Sequence, residues 1–483
     1  MYESDLFING QGRTAARNAT FERNNPVNGR AASRAAAATL EDVRDAIDAA
    51  AAAFPAWSRL TPAPRRQLLL SAAARLREMS AQFAERVTAE TGATAGWGHF
   101  NVHLAAMMLE EAASITTQIG GEVIPSDSPG TLAMAVRRPA GVVVGMAPWN
   151  APVILAVRAL AVPLACGNTV VLKSSEVCPA THRLIADAFA AAGFPPGVVS
   201  VISHSPQDAP AVVEALISHS AVRRISFTGS TRVGRIVGEL AGRHLKPAVL
   251  ELGGKAPMVI LDDADLEEAA KAAVFGAFMN QGQICMSTER IIVDSKVADD
   301  FVSRFLARTS ELRVADPGTD AAPLGSVVDA RTVTALHSLI EDATSHGATV
   351  ITGGTAEGTL FSPTIVDHVT SSMRLFREES FGPIVAVTRV DGPDEAIAAA
   401  NDSEYGLSAA VFSRDIARAI CVAERIDSGI CHINGATVHD EAQMPFGGTK
   451  ASGYGRFGGK AAIDQFTELR WLTIETMPKQ YPI

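Results

Sequence analysis

Short β-rich runs alternate with helical stretches between residues 133 and 260, and this alternation is the strongest constraint on the fold. The strand-like runs are GVVVGMA, TVVLK, VVSVIS, RRISFTG and APMVIL, separated by helical stretches such as ATHRLIADAFAAAG and TRVGRIVGELAGRHL. Strands that alternate with helices of about ten to fifteen residues predict βαβ units. We therefore expect an α/β fold built on a parallel sheet with helices on both faces.

The remainder of the chain divides around this region. Residues 41–120 are Ala-rich with apolar side chains at helical spacing, which predicts helices. Residues 262–455 repeat the alternation less regularly, in ATVITGG, FGPIVAVTRV and SAAVFSR. A length of 483 residues suits about two or three domains. We expect a second α/β domain and a boundary near Gly253–Gly254, where two glycines allow a sharp change of direction.

Two segments fit neither domain. They are GGEVIPSDSPGTLAMAVRRPAG, at 120–141, and the tail FTELRWLTIETMPKQYPI. Both have the pattern of exposed strands with apolar faces, and such edges invite pairing with another chain. We expect them to support a homo-oligomer, either a dimer or a dimer of dimers.

Composition excludes several classes of protein. The formal charge of −10 disfavours nucleic acid as a partner. The five cysteines are odd in number and lack CxxC or Cys/His spacing, which disfavours disulfides and a metal site and favours a reducing cytoplasm. The N-terminus lacks a signal-peptide pattern, and Arg158 and Pro163 interrupt the most apolar stretch, so no membrane partner is expected.

The segment 223–237, RRISFTGSTRVGRIV, predicts a strand, a turn and a helix that could bind a phosphate. Gly229 and Gly234 take the first and last places of a G-x-G-x-x-G fingerprint, but Thr231 replaces the middle glycine. Ser230 and the helix N-terminal amides would then bind the anion. An ordinary strand-to-helix turn fits this loop equally well.

A second strand end, NTVVLKSSE, places Lys173 three residues before Glu176. At the carboxyl edge of a parallel sheet this pair could bind the two hydroxyls of an adenosine ribose. A solvated charge pair is the alternative. A carboxylate here would repel the 2′-phosphate of NADP, which favours NAD.

Three residues from distant segments suggest a reaction at a carbonyl. Cys285 lies between a turn and a polar run, in QGQICMSTER, whereas Cys166, Cys421 and Cys431 are expected to be buried. Asn150 follows the apolar run before PWN and could donate to an oxyanion. Glu251, among apolar neighbours, would have a raised pKa suited to a general base. A helix cap or a surface role is the alternative for each.

Six segments, in order along nearly the whole chain, together resemble the aldehyde dehydrogenase superfamily. They are PWN, FTGSTRVG, LELGGK, QGQIC, EESFGP at 378–383 and MPFGGTKASGYGR at 444–456. The family also lacks the middle glycine of the phosphate loop. The resemblance implies that Cys285 is the nucleophile, Glu251 the general base and Asn150 part of the oxyanion hole.

The resemblance also implies how NAD binds. Lys173 and Glu176 would hold the adenosine ribose, Ser230 the pyrophosphate and Glu379 the nicotinamide ribose, with Phe381 beside the ring. Further residues of the cofactor cleft would be Ala147, Trp149, Gly229, Gly234 and Leu252. The implied domains are a Rossmann-like NAD-binding domain at 1–119 and 142–252, a catalytic domain at 253–455, and an oligomerisation arm at 120–141 and 462–483.

The expected substrate is a flat apolar aldehyde. Candidate substrate contacts that flank the motifs are Trp97, Ile154, Arg158, Phe278 and Met279. Arg158 could meet a phenolic oxygen, or could form a structural ion pair. GWGHFNVH, NQGQICMSTER and the C-terminal tail resemble bacterial salicylaldehyde dehydrogenases, with vanillin and benzaldehyde dehydrogenases next. This implies oxidation of a hydroxybenzaldehyde to the carboxylate in aromatic catabolism. A broad-range aldehyde dehydrogenase, a coenzyme A-acylating enzyme and a non-catalytic binding protein are the alternatives.

Overall fold

The computed structural model describes all 483 residues, and its largest element is an eight-stranded sheet, here the first sheet. The five central strands are parallel, and antiparallel strands extend the sheet at both edges. In spatial order the strands are Gly453–Tyr454 (β24), Ala248–Glu251 (β12), Val222–Thr228 (β11), Val142–Met146 (β8), Thr169–Lys173 (β9), Val199–Ile202 (β10), Leu6–Ile8 (β2) and Gln11–Arg13 (β3).

Helices cover both faces of the first sheet, as the alternation predicts. Side chains of a strand point alternately to opposite faces. Val143 accordingly packs against the helices between residues 62 and 191, whereas Val142 and Val144 pack on the opposite face against the helices between residues 40 and 58 and between 209 and 243. These helices are Leu40–Ser58 (α1), Pro62–Glu78 (α2), Ser80–Thr91 (α3), Ala95–Ile115 (α4), Pro152–Ala165 (α5), Pro179–Ala191 (α6), Ala209–Ser218 (α7) and Thr231–Arg243 (α8).

A second, seven-stranded sheet follows in the chain, as the sequence predicts. All its strands are parallel except one edge strand, at Thr349–Thr352. In spatial order they are Thr349–Thr352 (β15), Thr364–Asp367 (β18), Ile384–Val390 (β19), Thr288–Asp294 (β14), Ala256–Ile260 (β13), Ser408–Phe412 (β21) and Ile430–Ile433 (β22). The remaining helices are Leu266–Phe278 (α9), Ala298–Thr309 (α10), Ala330–Ser345 (α11), Arg374–Arg377 (α12), Gly392–Asn401 (α13), Ile416–Ala423 (α14) and Ile463–Phe466 (α15).

The two segments that fit neither domain pair with each other. Thr131–Pro139 (β7) lies antiparallel between Glu122–Ile124 (β6) and Thr467–Glu475 (β25), and this three-stranded arm sheet is largely exposed. Its two outer strands leave backbone groups unpaired within the chain. The oligomerisation role assigned to it stays a prediction, as do the roles assigned to the two larger domains.

Short elements complete the fold. Tyr2–Ser4 (β1), Ala31–Ala36 (β5) and Thr20–Asn24 (β4) form a small sheet that the sequence analysis did not anticipate. Two strand pairs are Ala356–Glu357 (β16) with Leu360–Phe361 (β17), and Tyr405–Gly406 (β20) with Thr449–Lys450 (β23). The 3₁₀ turns are Ala16–Asn18, Pro206–Asp208, Met279–Gly282 and Gly459–Ala462. None of the helices has the length and apolarity needed to cross a membrane. The predicted α/β fold is confirmed.

Candidate active site

The carboxyl ends of the parallel strands in the first sheet meet in one crevice. From β8 the chain proceeds to β9 and β10 on one side and returns to β11 and β12 on the other. Ligands of open α/β sheets bind at such a change in strand order. Asn150 follows β8, Lys173 ends β9, Ser230 follows β11 and Glu251 ends β12.

The amino ends of the second sheet face this crevice. Strand β13 begins at Ala256, only a few residues after β12 ends at Glu251. Cys285 precedes β14, and the Glu379–Phe381 loop precedes β19. The crevice is therefore built from strand ends of both sheets.

Two cavities meet at Cys285. The first, here the strand-end cavity, has a volume of about 280 Å³. Its lining comprises Pro148, Trp149, Asn150, Leu155, Thr228, Gly229, Ser230, Glu251, Leu252, Gly253, Cys285, Glu379 and Phe381. The second, here the apolar cavity, has a volume of about 400 Å³. Its lining comprises Trp97, Phe100, Leu104, Asn150, Ala151, Ile154, Leu155, Arg158, Phe275, Met279, Ile284, Cys285, Met286, Val438, His439, Asp440 and Phe446. Only Asn150, Leu155 and Cys285 belong to both.

The loop before Cys285 has an unusual backbone. Asn280, Gln281 and Gly282 all adopt positive φ angles, of 49°, 56° and 67°, which residues other than glycine rarely adopt. A Cβ on Gly282 would lie 2.1 Å from the carbonyl oxygen of Gly382. Glycine is therefore required at 282, and the tight turn sets the direction in which Cys285 leaves the loop.

Hydrogen bonds join this loop to the loop that carries Asn150. Asn150 Nδ2 donates to the Gln283 carbonyl at 3.0 Å, and the Asn150 carbonyl accepts from Asn280 Nδ2 at 3.0 Å. Trp97 Nε1 donates to the same carbonyl at 2.8 Å. Asn150 Nδ2 keeps a second N–H, and the backbone N–H of Cys285 donates to no other backbone group. Two donors therefore remain beside the thiol.

Glu251 is a buried carboxylate without a hydrogen-bond partner. It is 1% exposed, and neither side-chain oxygen is hydrogen-bonded. Burial raises the pKa of Glu251 to about 7, although the positive charge of Arg158 and the nearby Cys285 thiol partly oppose the rise. An unpartnered carboxylate that titrates near neutrality is suited to general base catalysis.

Burial also raises the pKa of the Cys285 thiol well above its usual range, and the charge of Glu251 adds to the rise. The thiol is therefore protonated at neutral pH. Because the pKa of Glu251 is about 7, part of this residue is deprotonated at neutral pH, and its carboxylate is the nearby group able to accept that proton.

The predicted phosphate loop lies at the N-terminus of helix α8. Helix α8 begins at Thr231, and the Ser230 hydroxyl accepts from Val233 N at 3.4 Å. Thr231 donates its hydroxyl to the Ala451 carbonyl at 3.0 Å. A Cβ on Gly234 would lie 2.3 Å from Leu252 Cδ2, so Gly234 permits close packing of α8 on β12. The first backbone N–H groups of α8 therefore lie at this end of the helix although the loop lacks the middle glycine of the G-x-G-x-x-G pattern.

The other predicted cofactor residues lie at the same edge. Lys173 Nζ is 3.8 Å from Glu176 Oε2, which leaves both groups near but not tightly bonded. Ala147 is buried directly after β8. The Trp149 and Phe381 rings meet edge to face with centroids 5.7 Å apart.

Glu379 and Phe381 are held by a buried network that the sequence analysis missed. Glu379 Oε1 accepts from Gly254 N at 2.9 Å, and burial and Glu289 raise the pKa of Glu379 to about 8. Glu289 accepts from the backbone N–H groups of Ser380, at 2.8 Å, and Phe381, at 3.1 Å, and it pairs with buried Lys255. Both Glu289 and Lys255 belong to the quoted motifs, but nothing in the sequence indicates that they meet.

The apolar cavity contains four of the five predicted substrate residues, namely Trp97, Ile154, Arg158 and Met279. The prediction for Phe278 is wrong. Phe278 packs in the core of the second sheet and stacks on Phe305 with centroids 6.0 Å apart. Phe275, one turn earlier on α9, lies on the cavity wall instead, because residues three apart on a helix share a face only approximately.

Comparison with known proteins identifies relatives over the full length. A profile described as "Aldehyde dehydrogenase family" matches residues 13–472. A vanillin dehydrogenase of Pseudomonas fluorescens is 60% identical over 483 residues, which cover 100% of both chains. A crystal structure of a salicylaldehyde dehydrogenase from Pseudomonas putida G7 complexed with salicylaldehyde has 50% identity, a TM-score of 0.99 and 100% coverage of both chains. A betaine aldehyde dehydrogenase from Staphylococcus aureus in complex with NAD⁺ has 32% identity and a TM-score of 0.95, and the match covers 99% of this chain and 96% of that one.

Proposed function

Because the chain belongs to the aldehyde dehydrogenase family, we propose that it oxidises a hydroxylated aromatic aldehyde to the carboxylate, with NAD as hydride acceptor. The observation that carries this proposal is the position of Cys285, where the strand-end cavity and the apolar cavity meet. A thiol at such a junction can attack an aldehyde held in one cavity beside a cofactor held in the other.

The strand-end cavity, together with Lys173 and Glu176 outside its lining at the same sheet edge, suits a dinucleotide. Lys173 and Glu176 would hold the adenosine ribose, Ser230 and the first amides of α8 the pyrophosphate, and Glu379 the nicotinamide ribose. Ala147, Trp149, Gly229, Gly234, Leu252 and Phe381 would shape the cleft. The second carboxylate oxygen of Glu379 accepts no hydrogen bond, which leaves it free for a ribose hydroxyl. When bound, NAD supplies the acceptor for the aldehyde hydride.

The proposed reaction begins with the thiol. Glu251 accepts the Cys285 proton, and the sulfur attacks the aldehyde carbon to form a thiohemiacetal. The second N–H of Asn150 Nδ2 and the Cys285 backbone N–H stabilise the negative oxygen. Loss of hydride leaves a thioester on Cys285.

The second half-reaction returns the enzyme to its starting state. Glu251, again deprotonated, accepts a proton from water as the water oxygen attacks the thioester. The tetrahedral adduct collapses, the C–S bond breaks, the Cys285 sulfur takes back a proton from Glu251, and the product leaves as the carboxylate after losing its own proton to solvent. This role of Glu251 favours hydrolysis over acyl transfer to coenzyme A, and its retention together with Cys285 argues against a non-catalytic protein.

The apolar cavity supports an aromatic substrate. Thirteen of its seventeen lining residues are hydrophobic, and aromatic walls suit a flat ring. The sequence motifs favour salicylaldehyde over vanillin. Because the chain is 60% identical to a vanillin dehydrogenase and 50% identical to a salicylaldehyde dehydrogenase, we place vanillin first.

We expect a panel of vanillin, salicylaldehyde, benzaldehyde and hexanal, assayed with NAD, to give the highest kcat/KM for a hydroxybenzaldehyde and the lowest for hexanal. We expect kcat/KM for the hydroxybenzaldehyde to exceed that for hexanal by at least about tenfold, since about 1–3 kcal/mol separates well-fitted from poorly fitted apolar groups. Product formation without coenzyme A serves as the control for hydrolysis. A clear preference for hexanal would contradict the aromatic assignment.

Glu176 should set the preference for NAD. Its carboxylate, beside Lys173, would repel the 2′-phosphate of NADP. Glu176→Gln should raise the ratio of NADP to NAD efficiency by about tenfold, as expected for removal of about 1.4 kcal/mol of repulsion. The matched control is Glu404→Gln, which removes an exposed carboxylate elsewhere. An unchanged cofactor ratio in Glu176→Gln would remove Glu176 from this role.

We propose that the arm sheet joins subunits in a homodimer or a dimer of dimers. Its exposed apolar side chains include Trp471, which is 78% exposed, and Leu469. Trp471→Glu should shift the protein toward monomer in multi-angle light scattering, since a buried charge opposes association. Arg331→Glu, on α11 and outside the arm sheet at a position whose side chain is 94% exposed, should leave the oligomer intact. Equal effects of the two substitutions would exclude the arm as the interface.

A further inference from the structure

Arg158 and Asp440 form a buried ion pair on the wall of the apolar cavity. Arg158 is 6% exposed and the Asp440 side chain 11% exposed, and Arg158 Nη2 donates to Asp440 Oδ2. Neither side chain makes a hydrogen bond to any other side chain, and the backbone N–H of Glu441 is a further contact of the Asp440 carboxylate. Arg158 Nε and Nη1 and Asp440 Oδ1 are also not among the fully enclosed polar atoms. The pair therefore offers a ligand the N–H groups on Arg158 Nε and Nη1 and an accessible oxygen of Asp440.

The guanidinium is held in place by aromatic rings. Arg158 Cζ lies 4.2 Å from the centroid of the Phe446 ring and 5.8 Å from that of Phe457. Cation–π contacts of this kind are favourable where water is excluded. The free donors of Arg158 and the free oxygen of Asp440 thus have a fixed relation to each other.

The charge of the pair determines which form of a ring hydroxyl can bind there. Arg158 and Asp440 together carry no net charge. A phenolate would meet the Asp440 carboxylate as a buried like charge, which is costly. A neutral phenol can donate to Asp440 Oδ1 while its oxygen accepts from Arg158, so that all three groups are satisfied.

Other ionisable groups near the pair do not reverse its preference for a neutral phenol over a phenolate. Glu251 and Cys285 interact electrostatically with Arg158, and His439 with Asp440. Glu441 and Glu111 lie with Arg158 and Asp440 around a smaller neighbouring cavity. Apart from His439, these groups are acids, which adds to the disadvantage of an anionic ligand.

We propose that Asp440 is a specificity-determining residue that makes the apolar cavity bind the neutral phenol form of a hydroxybenzaldehyde and reject its phenolate. This inference rests on the proposed function and adds to it the protonation state of the substrate. Without Asp440, the free cation of Arg158 would instead attract the phenolate.

The test compares kcat/KM for vanillin with that for 3,4-dimethoxybenzaldehyde, which has no ionisable hydroxyl, across a range of pH. The phenol pKa of vanillin is measured by absorbance in the same buffers. In the wild type, the vanillin to dimethoxybenzaldehyde ratio should fall about tenfold per pH unit above that pKa, since only the neutral fraction is bound. The phenolate of vanillin is also less reactive toward a nucleophile, because its charge is delocalised onto the aldehyde oxygen, so the wild-type fall is compared with the fall in a variant of Asp440.

In Asp440→Asn the ratio should fall much less steeply than in the wild type over the same pH range, because the amide no longer repels the phenolate and only the lower reactivity of the phenolate remains. Glu441→Gln, a change of the adjacent acid, should retain the wild-type fall. A level or rising ratio in the wild type, with dimethoxybenzaldehyde still oxidised, would overturn this inference alone. A fall of equal steepness in Asp440→Asn would remove Asp440 from the role, and absence of turnover with every aldehyde would overturn the proposed function as well.

Discussion

Cys285→Ser is expected to reduce turnover of the preferred aldehyde by at least about 10⁴-fold, since loss of a catalytic nucleophile commonly costs about 10⁴ to 10⁶ in kcat. A serine hydroxyl is a much weaker nucleophile than a thiol at this site, where Glu251 titrates at about pH 7. The measurement is NADH formation with purified enzyme, supported by NAD binding followed through tryptophan fluorescence. Because Cys285 lies at the edge of the strand-end cavity, NAD binding should change little.

The matched control is Cys421→Ser. Cys421 is exposed, so the expectation that it is buried is wrong: α14 turns only Ala419 and Val422 toward the core. Replacement of Cys421 should change turnover by less than about twofold, as for other surface substitutions. Substantial activity in Cys285→Ser, with the control unchanged, would exclude the thiol mechanism.

Glu251→Gln is expected to lower steady-state turnover by about 10² to 10⁴-fold, the usual contribution of a general base. Attack by the Cys285 thiol should slow because its proton acceptor is lost, and hydrolysis of the thioester should slow further because water is a weaker acid than a thiol. A first turnover of NADH should therefore form slowly and then stop. Glutamine fits the same buried position, and neither Glu251 oxygen has a hydrogen bond to lose. Glu441→Gln is the control, because it removes a carboxylate that lines neither the strand-end cavity nor the apolar cavity.

The same substitution should remove a pH dependence. A general base acts in its deprotonated form, and burial raises the pKa of Glu251 to about 7. Wild-type kcat should therefore decline as the pH falls through about 7 and level off above it. Glu251→Gln should show no inflection in that range. An unaltered inflection in the variant would assign the titration to another group.

Sequence patterns predicted much of this arrangement because they reflect local physics. The alternation of β-rich and helical runs sets the two α/β domains, since strand and helix periods are imposed within each element. Polar residues at strand ends, such as Asn150, Lys173 and Glu251, meet because parallel strands bring their carboxyl ends to one edge. The exposed apolar faces marked the two stray segments as edge strands, but their pairing with each other within the chain was not predicted.

The remaining features depend on contacts between distant residues. Asp440 and Arg158 are 282 positions apart, and nothing in either segment marks the other as its partner. Lys255 and Glu289 meet only because β13 and β14 are neighbours. The error at Phe278 arose because helical spacing alone does not show which side of α9 faces the cavity.

Mass spectrometry of the trapped intermediate tests the thioester mechanism most directly. Glu251→Gln is mixed with NAD and vanillin, quenched in acid after the first turnover and digested. We expect the mass of the acyl group on the peptide that contains Cys285, formed only when NAD is present and absent from Cys285→Ser. A full first turnover of NADH without an acyl group on Cys285, or with the group on another residue, would contradict the mechanism.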